Sequence, residues 1–198
     1  MDSGPSRPSD SELLRRARGG DHAAFHELVD RYAEPLLRLA VWWVGNAADA
    51  EDIVQETFSG VFRGQGAFKG LSSVKTWMTR ILVRQVAMHR RRRREPIRLF
   101  GAEPPAAEAY VPSGSHAADA RMDVRAAIQA LTPEHREIVL LREFQGLSYE
   151  QIAEVLGIPP GTVESRLFRA RRAMQELLKD YLVEGAGAEE SPVACSKE

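Results

Sequence analysis

The stretch from Glu95 to Ala120 constrains this chain more than any other. Pro96, Pro104, Pro105 and Pro112 stand there among Ala, Gly and Ser, too proline-rich for a helix and too irregular for a strand. It splits the 198 residues into two patterned blocks, each large enough for only a modest core. On both sides apolar residues recur at helical spacing, and no run alternates strictly enough for a strand. The expected fold class is all-α: two small helical domains, 10–94 and 121–183, joined by a flexible linker, 95–120. Residues 1–9 and 184–198 lack periodicity and read as a disordered N-terminal arm and tail.

Start signals place the helices. Ser9 with Glu12 forms the sequence pattern of a capping box, and Asp21, Asn46 and Ser73 can each cap a first turn. Helices are expected near 10–18, 22–44 (kinked or interrupted before Pro35), 48–63 and 74–93. Beyond the linker they are expected near 119–131, 133–145, 149–156 and 160–182, with Thr132 capping before Pro133 and Ser148 with Gln151 repeating the box.

Composition excludes several functions. The longest unbroken apolar stretch, Leu39 to Val44, is far too short to cross a bilayer, and the Pro/Ser-rich start has no signal-peptide core, so no membrane insertion and a cytoplasmic location are expected. The single cysteine, Cys195, cannot form an internal disulfide or a zinc site with others. The net charge of −1 conceals a basic run, Arg90 to Arg94, and a second cluster at Arg166, Arg169, Arg171 and Arg172. Both point to a polyanion.

In the second block, Ile152, Ala153 and Leu156 share a helix face, Gly157 supplies a left-handed stop, and Pro160 opens the next helix: a helix-turn-helix. Val163, Leu167, Ala170 and Met174 form its buried stripe. The opposite face carries Thr162, Ser165, Phe168, Arg169 and Arg172, a mixture suited to the major groove, with Arg166 and Arg171 on its flanks for phosphates. Glu164 is out of place beside phosphate unless it accepts from a cytosine amino group.

In the first block, Ala50, Val54, Thr57, Phe58 and Val61 make a buried stripe that leaves Asp49, Asp52, Gln55 and Glu56 outside. That acidic face is unsuited to DNA and suits a protein partner. The segment GQGAFKGLSS from Gly64 has three glycines around Phe68 and Lys69 but lacks the ending of a phosphate-cradling loop. It can instead offer an aromatic to an unstacked base. In the next helix Val74, Trp77, Met78, Ile81 and Leu82 face inward. Thr76, Thr79, Arg80, Val83 and Ala87 face outward, the last two suggesting a close contact surface.

With these residues placed, the chain resembles a bacterial RNA polymerase sigma factor of the sigma-70 family, in the extracytoplasmic-function subfamily that keeps only the second and fourth conserved regions. Three stretches carry the likeness: FHELVDRYAEPLLRLA from Phe25, DAEDIVQETFSGVFR from Asp49, and LSYEQIAEVLGIPPGTVESRLFRARRAM from Leu147. The resemblance implies that Asp49, Asp52, Gln55 and Glu56 dock on the clamp helices of the largest subunit of core RNA polymerase. Promoter DNA would be the other partner. Phe68, Lys69, Thr76, Arg80, Arg84, Arg90 and Arg91 would engage the minus-10 element and hold its opened strand. Thr162, Ser165, Arg166, Phe168, Arg169 and Arg172 would take the minus-35 element. Sequestration by an anti-sigma factor is common in the family. Val74 and Glu164 depart from many relatives, so no promoter sequence carries over.

Linker reach agrees. Two elements two helical turns apart lie roughly 70 Å from one another, and the 26 residues span at most about 86–94 Å when extended.

The runner-up is a stand-alone helix-turn-helix repressor or activator, which leaves the acidic face and glycine loop unassigned. An enzyme is the third reading. Its best token is His22 with His26 beside Glu27, one turn apart but not in His-Glu-x-x-His order. No nucleophile elbow or paired carboxylate appears. No catalytic residue, cofactor, metal or small-molecule substrate is expected.

Overall fold

The computed structural model describes residues 7–100 and 124–179, with side chains through Arg93 in the first stretch. The expectations for residues 1–6, for 101–123 and for the tail lie outside these residues. The described residues are helical, with no strand among them. The elements are α1 (Asp10–Arg18), α2 (His22–Val44), α3 (Ala47–Gly64) with a 3-10 turn (Gln65–Ala67), and α4 (Val74–Phe100). Then come α5 (124–130), α6 (Pro133–Val139) continued by a π turn (Leu140–Phe144), α7 (Tyr149–Leu156) and α8 (Pro160–Leu177).

The caps follow the side-chain chemistry. Asp21, Asn46, Ser73 and Thr132 each accept from the backbone amide three residues on, and Ser148 with Gln151 completes a reciprocal box. The box at Ser9 is only half made. Ser9 Oγ accepts from the Glu12 amide, but the Glu12 carboxylate turns to Arg15 at 2.6 Å, where a guanidinium outcompetes a backbone N–H.

Four helices depart from expectation. Through Pro35, α2 runs unbroken, because Leu28, Leu36, Leu39, Ala40 and Trp43 are buried along it and offset the one hydrogen bond proline removes. The backbone of α4 stays helical to Phe100, past the expected end at 93 and through Pro96, a residue expected in the linker. The helix begun by α6 widens into the π turn, closed by Gln145 N donating to Leu140 O at 3.2 Å. Finally, α8 stops at Leu177, short of 182.

In the first domain α1, α3 and α4 pack on α2, around Leu13, Leu28, Leu39, Trp43, Met78 and Leu82. Arg31 and Tyr32 of α2 both reach Asp10, tying α1 down, and burial, then that carboxylate, raises the Tyr32 phenol well above its usual range. In the second, α6, α7 and α8 enclose Ile138, Leu141, Leu147, Ile152, Val163 and Leu167.

The two domains pack against each other, so that one cluster of buried side chains runs through both. The end of α2 is the seam. Its carbonyls, the negative end of the helix dipole, accept from the second domain: Trp42 O from Gln129 at 2.7 Å, Trp43 O from Arg136 at 3.2 Å, and Gly45 O from Arg125 at 3.0 Å. Gly45, in the left-handed conformation at φ 80°, turns the chain there. Trp42 also meets the Phe144 ring at 4.8 Å between centroids. Expectation treated the two blocks as separate cores; no local pattern announces this seam.

Candidate nucleic-acid interface

Helix α8 has one buried and one exposed side. Val163, Leu167 and Ala170 are fully buried, fixing its rotation, and Met174 is half-buried. Gly157 at φ 67° sets the turn from α7. Opposite the buried stripe, Phe168 is 64% exposed, and Arg169 and Arg172 are exposed. Thr162 and Ser165 are half-buried, with Ser165 Oγ donating to Thr162 O at 3.1 Å, so that hydroxyl is partly engaged within the helix. The flanks differ from expectation. Burial holds the Glu137 carboxyl above its usual range, against the downward pull of Arg90 and then of half-buried Arg166. Arg171 pairs with Glu143 at 2.7 Å. Glu164 is exposed.

The loop before α4 does not present a free ring. Phe68 packs on Trp77, centroids 5.1 Å apart, while Lys69 is exposed and Leu71, 89% exposed, is the apolar group held out to solvent. Packed together, the two rings cover surface that each would otherwise expose to water.

On α4 the outward face needs correction. Val74, Met78 and Leu82 are buried as expected, with Trp77 and Ile81 partly so. Thr76 and Thr79, expected outside, are fully buried, because α7 of the second domain packs on this face. Thr76 is hydrogen-bonded to Ser73 Oγ, and Thr79 Oγ1 donates to Lys75 O at 2.9 Å. Thr76 therefore offers nothing to DNA in this arrangement. Arg80 is half-buried and pairs with Glu154, and Val83 is packed against the core cluster. Arg84, Ala87 and Arg91 remain exposed along the helix, and Arg90 donates to Trp43 O at 3.4 Å.

The acidic face divides. Asp52, Gln55 and Glu56 are exposed on α3, next to a shallow cleft with Met88, His89 and Arg92 of α4. Asp49, expected with them, is turned inward: its carboxylate takes Arg93 at 2.6 Å and lies 3.5 Å from His89. One of the run's arginines is thus spent holding α4 to α3. On the other side of Gln55 opens an apolar groove lined by Phe25, Val29, Phe58 and Phe62, where Phe25 and Phe62 meet edge to face.

Lys75, Glu154, Gln129 and Phe144 were missed by sequence reasoning. Each is an ordinary surface-type position within its own helix, and only the meeting of the domains gives it a partner. His22 and His26 gain no further ligand: among the described residues no group of three or more His, Cys, Asp or Glu side chains could hold a metal ion. None of the described helices is long and apolar enough to cross a membrane.

Comparison with known proteins adds to this geometry. Residues 28–95 match the family model for sigma-70 region 2, and residues 121–174 match that for sigma-70 region 4. The chain is 37% identical over 194 residues to the RNA polymerase sigma-H factor of Pseudomonas aeruginosa, covering 90% of this chain and 98% of the relative. It is 34% identical over 185 residues to the ECF RNA polymerase sigma-E factor of Escherichia coli K12, covering 88% and 96%. Among solved structures, CnrH in complex with the cytosolic domain of CnrY superposes with a TM-score of 0.66 at 26% identity, covering 87% of this chain and 99% of that one. The sigma factor RpoE in complex with the anti-sigma factor NepR from Bartonella quintana also gives 0.66, at 28% identity, covering 78% and 96%.

Proposed function

Because this chain belongs to the extracytoplasmic-function subfamily of the sigma-70 family, which binds core RNA polymerase and directs promoter-specific initiation, we propose how its residues divide that work. The first domain, 10–94, docks on the polymerase and takes the minus-10 element. The second, 121–183, reads the minus-35 element. The observation that carries this reading is the face of α8, where Phe168, Arg169 and Arg172 stand exposed directly opposite the buried Val163, Leu167 and Ala170. A helix held so rigidly can lay its outer side in the major groove, Arg169 donating to a guanine and Phe168 touching a thymine methyl.

On the first domain, Asp52, Gln55 and Glu56 form the docking face for the clamp helices, and Asp49 supports it from behind through Arg93. Lys69, Arg80, Arg84 and Arg91 follow the backbone of the opened minus-10 strand, with Leu71 and Phe68 in the adjoining loop. Unstacking a base costs a few kcal/mol, which basic and apolar contacts to the open strand can offset, so opening requires only tighter binding of the opened state. No chemical step belongs to the chain itself in this reading, and it works in the cytoplasm, where its polymerase is. The solved relative RpoE, bound to the anti-sigma factor NepR, supports an anti-sigma factor as a third partner here. A stand-alone repressor is not favoured, since both conserved regions are present. Reconstitution with core polymerase and run-off transcription across genomic promoters tests the proposal. Transcripts starting at the same sites with and without this chain would refute it.

A further inference from the structure

Between Pro160 and Ala170, α8 carries one carboxylate, Glu164, beside Arg166 and Arg169. Glu164 is exposed, and among the described residues its side chain makes no hydrogen bond or ion pair. The positions one turn away, Pro160, Gly161, Leu167 and Phe168, are uncharged, so no neighbour on the helix can pair with it. Arg171, two turns on along the same flank, is taken by Glu143 at 2.7 Å. Glu164 also lies past the first turn of α8, where the favour of the helix dipole for a carboxylate has faded. The fold therefore gives this side chain no partner and little electrostatic benefit.

Its place on α8 gives it another role. Phe168 follows one turn later on the same side and is 64% exposed. Arg169, next to Phe168, is exposed and free of any ion pair among the described residues. Ahead of Glu164, residues Pro159, Pro160 and Gly161 are exposed, and a Cβ placed on Gly161 would meet nothing within 4 Å, so this end of α8 is open.

We propose that Glu164 is a specificity-determining residue, accepting a hydrogen bond from the amino group of a cytosine in the minus-35 element, close to the guanine taken by Arg169. This rests on the assignment of α8 to that element made above.

The chemistry selects cytosine. A carboxylate only accepts, and in the major groove only cytosine and adenine offer an amino donor. On adenine that donor sits beside the N7 acceptor, which opposes the second carboxylate oxygen, whereas cytosine carries no acceptor on its groove edge. Guanine and thymine present acceptors that repel Glu164. Spacing follows from the helix: five residues at about 1.5 Å each put Glu164 about 7.5 Å from Arg169 along the axis, roughly two duplex steps of about 3.4 Å. Phe168 lies between them along the axis, in position for a thymine methyl. On any sequence lacking the amino group, Glu164 brings an uncompensated carboxylate up to the phosphates, so it penalises wrong sites as well as selecting the right one.

The test is run-off transcription by core polymerase reconstituted with the full-length chain, on templates whose minus-35 block is randomised within a promoter that the wild type uses. Sequencing the transcribed templates reads the base preferred at each position for wild type, Glu164→Ala, Glu164→Gln and Arg169→Ala. Wild type is expected to favour cytosine at one position by about five- to hundred-fold, the equivalent of about 1–3 kcal/mol for a base contact. Glu164→Ala should flatten that position alone. Glu164→Gln should turn it from cytosine to adenine, because an amide accepts from the amino group while donating to N7; a glutamate that served only the fold could not produce that exchange. Arg169→Ala should flatten a guanine position about two base pairs away. Base preferences in both Glu164 variants equal to wild type at every position overturn the proposal. A uniform gain in transcription with unchanged preferences overturns it too, leaving Glu164 only a repeller of phosphate. If Arg169→Ala still flattens its own position in either case, α8 keeps the minus-35 element and only the role of Glu164 falls. Promoter-directed transcripts from wild type with no base preferred anywhere in the block would refute the minus-35 assignment itself.

Discussion

Arg136 Nη1 donates to the Trp43 carbonyl at 3.2 Å, so a guanidinium of the second domain closes the last turn of a helix in the first. The same side chain also takes the carbonyls of Ile128, Gln129 and Leu131. Burial, and then neighbouring Arg90, push its guanidinium down to about 10, still well above neutrality, so it stays charged at pH 7.

Arg136→Met is expected to cost about 2–4 kcal/mol in urea unfolding, because it strands several buried carbonyls. Arg136→Lys should recover little, since one ammonium cannot span acceptors on two helices. A loss for Arg136→Met too small to resolve would show that water replaces the guanidinium.

Arg169→Ala should weaken binding to the minus-35 element by about 1–3 kcal/mol if the side chain reads a base. Arg171→Ala should cost less, since Arg171 is held by Glu143. Titration of the isolated minus-35 duplex against random duplex separates the roles. Equal losses on both sequences for Arg169→Ala would make it a phosphate contact.

Asp52→Lys with Glu56→Lys should abolish assembly with core polymerase while leaving the circular dichroism melt close to wild type, because both side chains are exposed on α3. Asp49→Asn should behave in the opposite way, lowering the melting temperature through loss of Arg93 and retaining much of the assembly. Pull-down with core polymerase checks both, and unchanged assembly of the double variant would remove this face from the docking site.

Asp21 contributes to the acid limb of stability. The Arg16 guanidinium, then the Ala24 amide, hold its carboxyl below its usual 3.8. A carboxyl depressed on folding contributes fully above its unfolded value and loses that contribution as pH falls through its folded value. Thermal melts of wild type should therefore fall more steeply below about pH 4 than those of Asp21→Asn, which keeps a good cap without a titrating charge. Parallel curves for the two proteins would rule Asp21 out.

Much of the site was legible because helices advertise themselves locally. The stripe of Val163, Leu167 and Ala170 fixed which side of α8 faces outward, and Gly157 with Pro160 fixed its start. The same reasoning placed Asp52, Gln55 and Glu56 on the surface. It failed for Asp49, since helical periodicity cannot show that Arg93, more than forty positions away, draws a carboxylate inward. It failed again for the loop, where Phe68 found Trp77 instead of solvent.

By itself the sequence determined the all-helical class, the two patterned blocks, the caps and the outward side of α8, because each depends on residues within one or two turns. Only the tertiary structure decided that Thr76 and Thr79 are covered, that Arg80 faces Glu154, and that the end of α2 is closed by Gln129, Arg125 and Arg136. Those outcomes depend on how two amphipathic bodies meet, and the free energy of that meeting is spread over carbonyls and side chains too far apart along the chain for any local pattern to record.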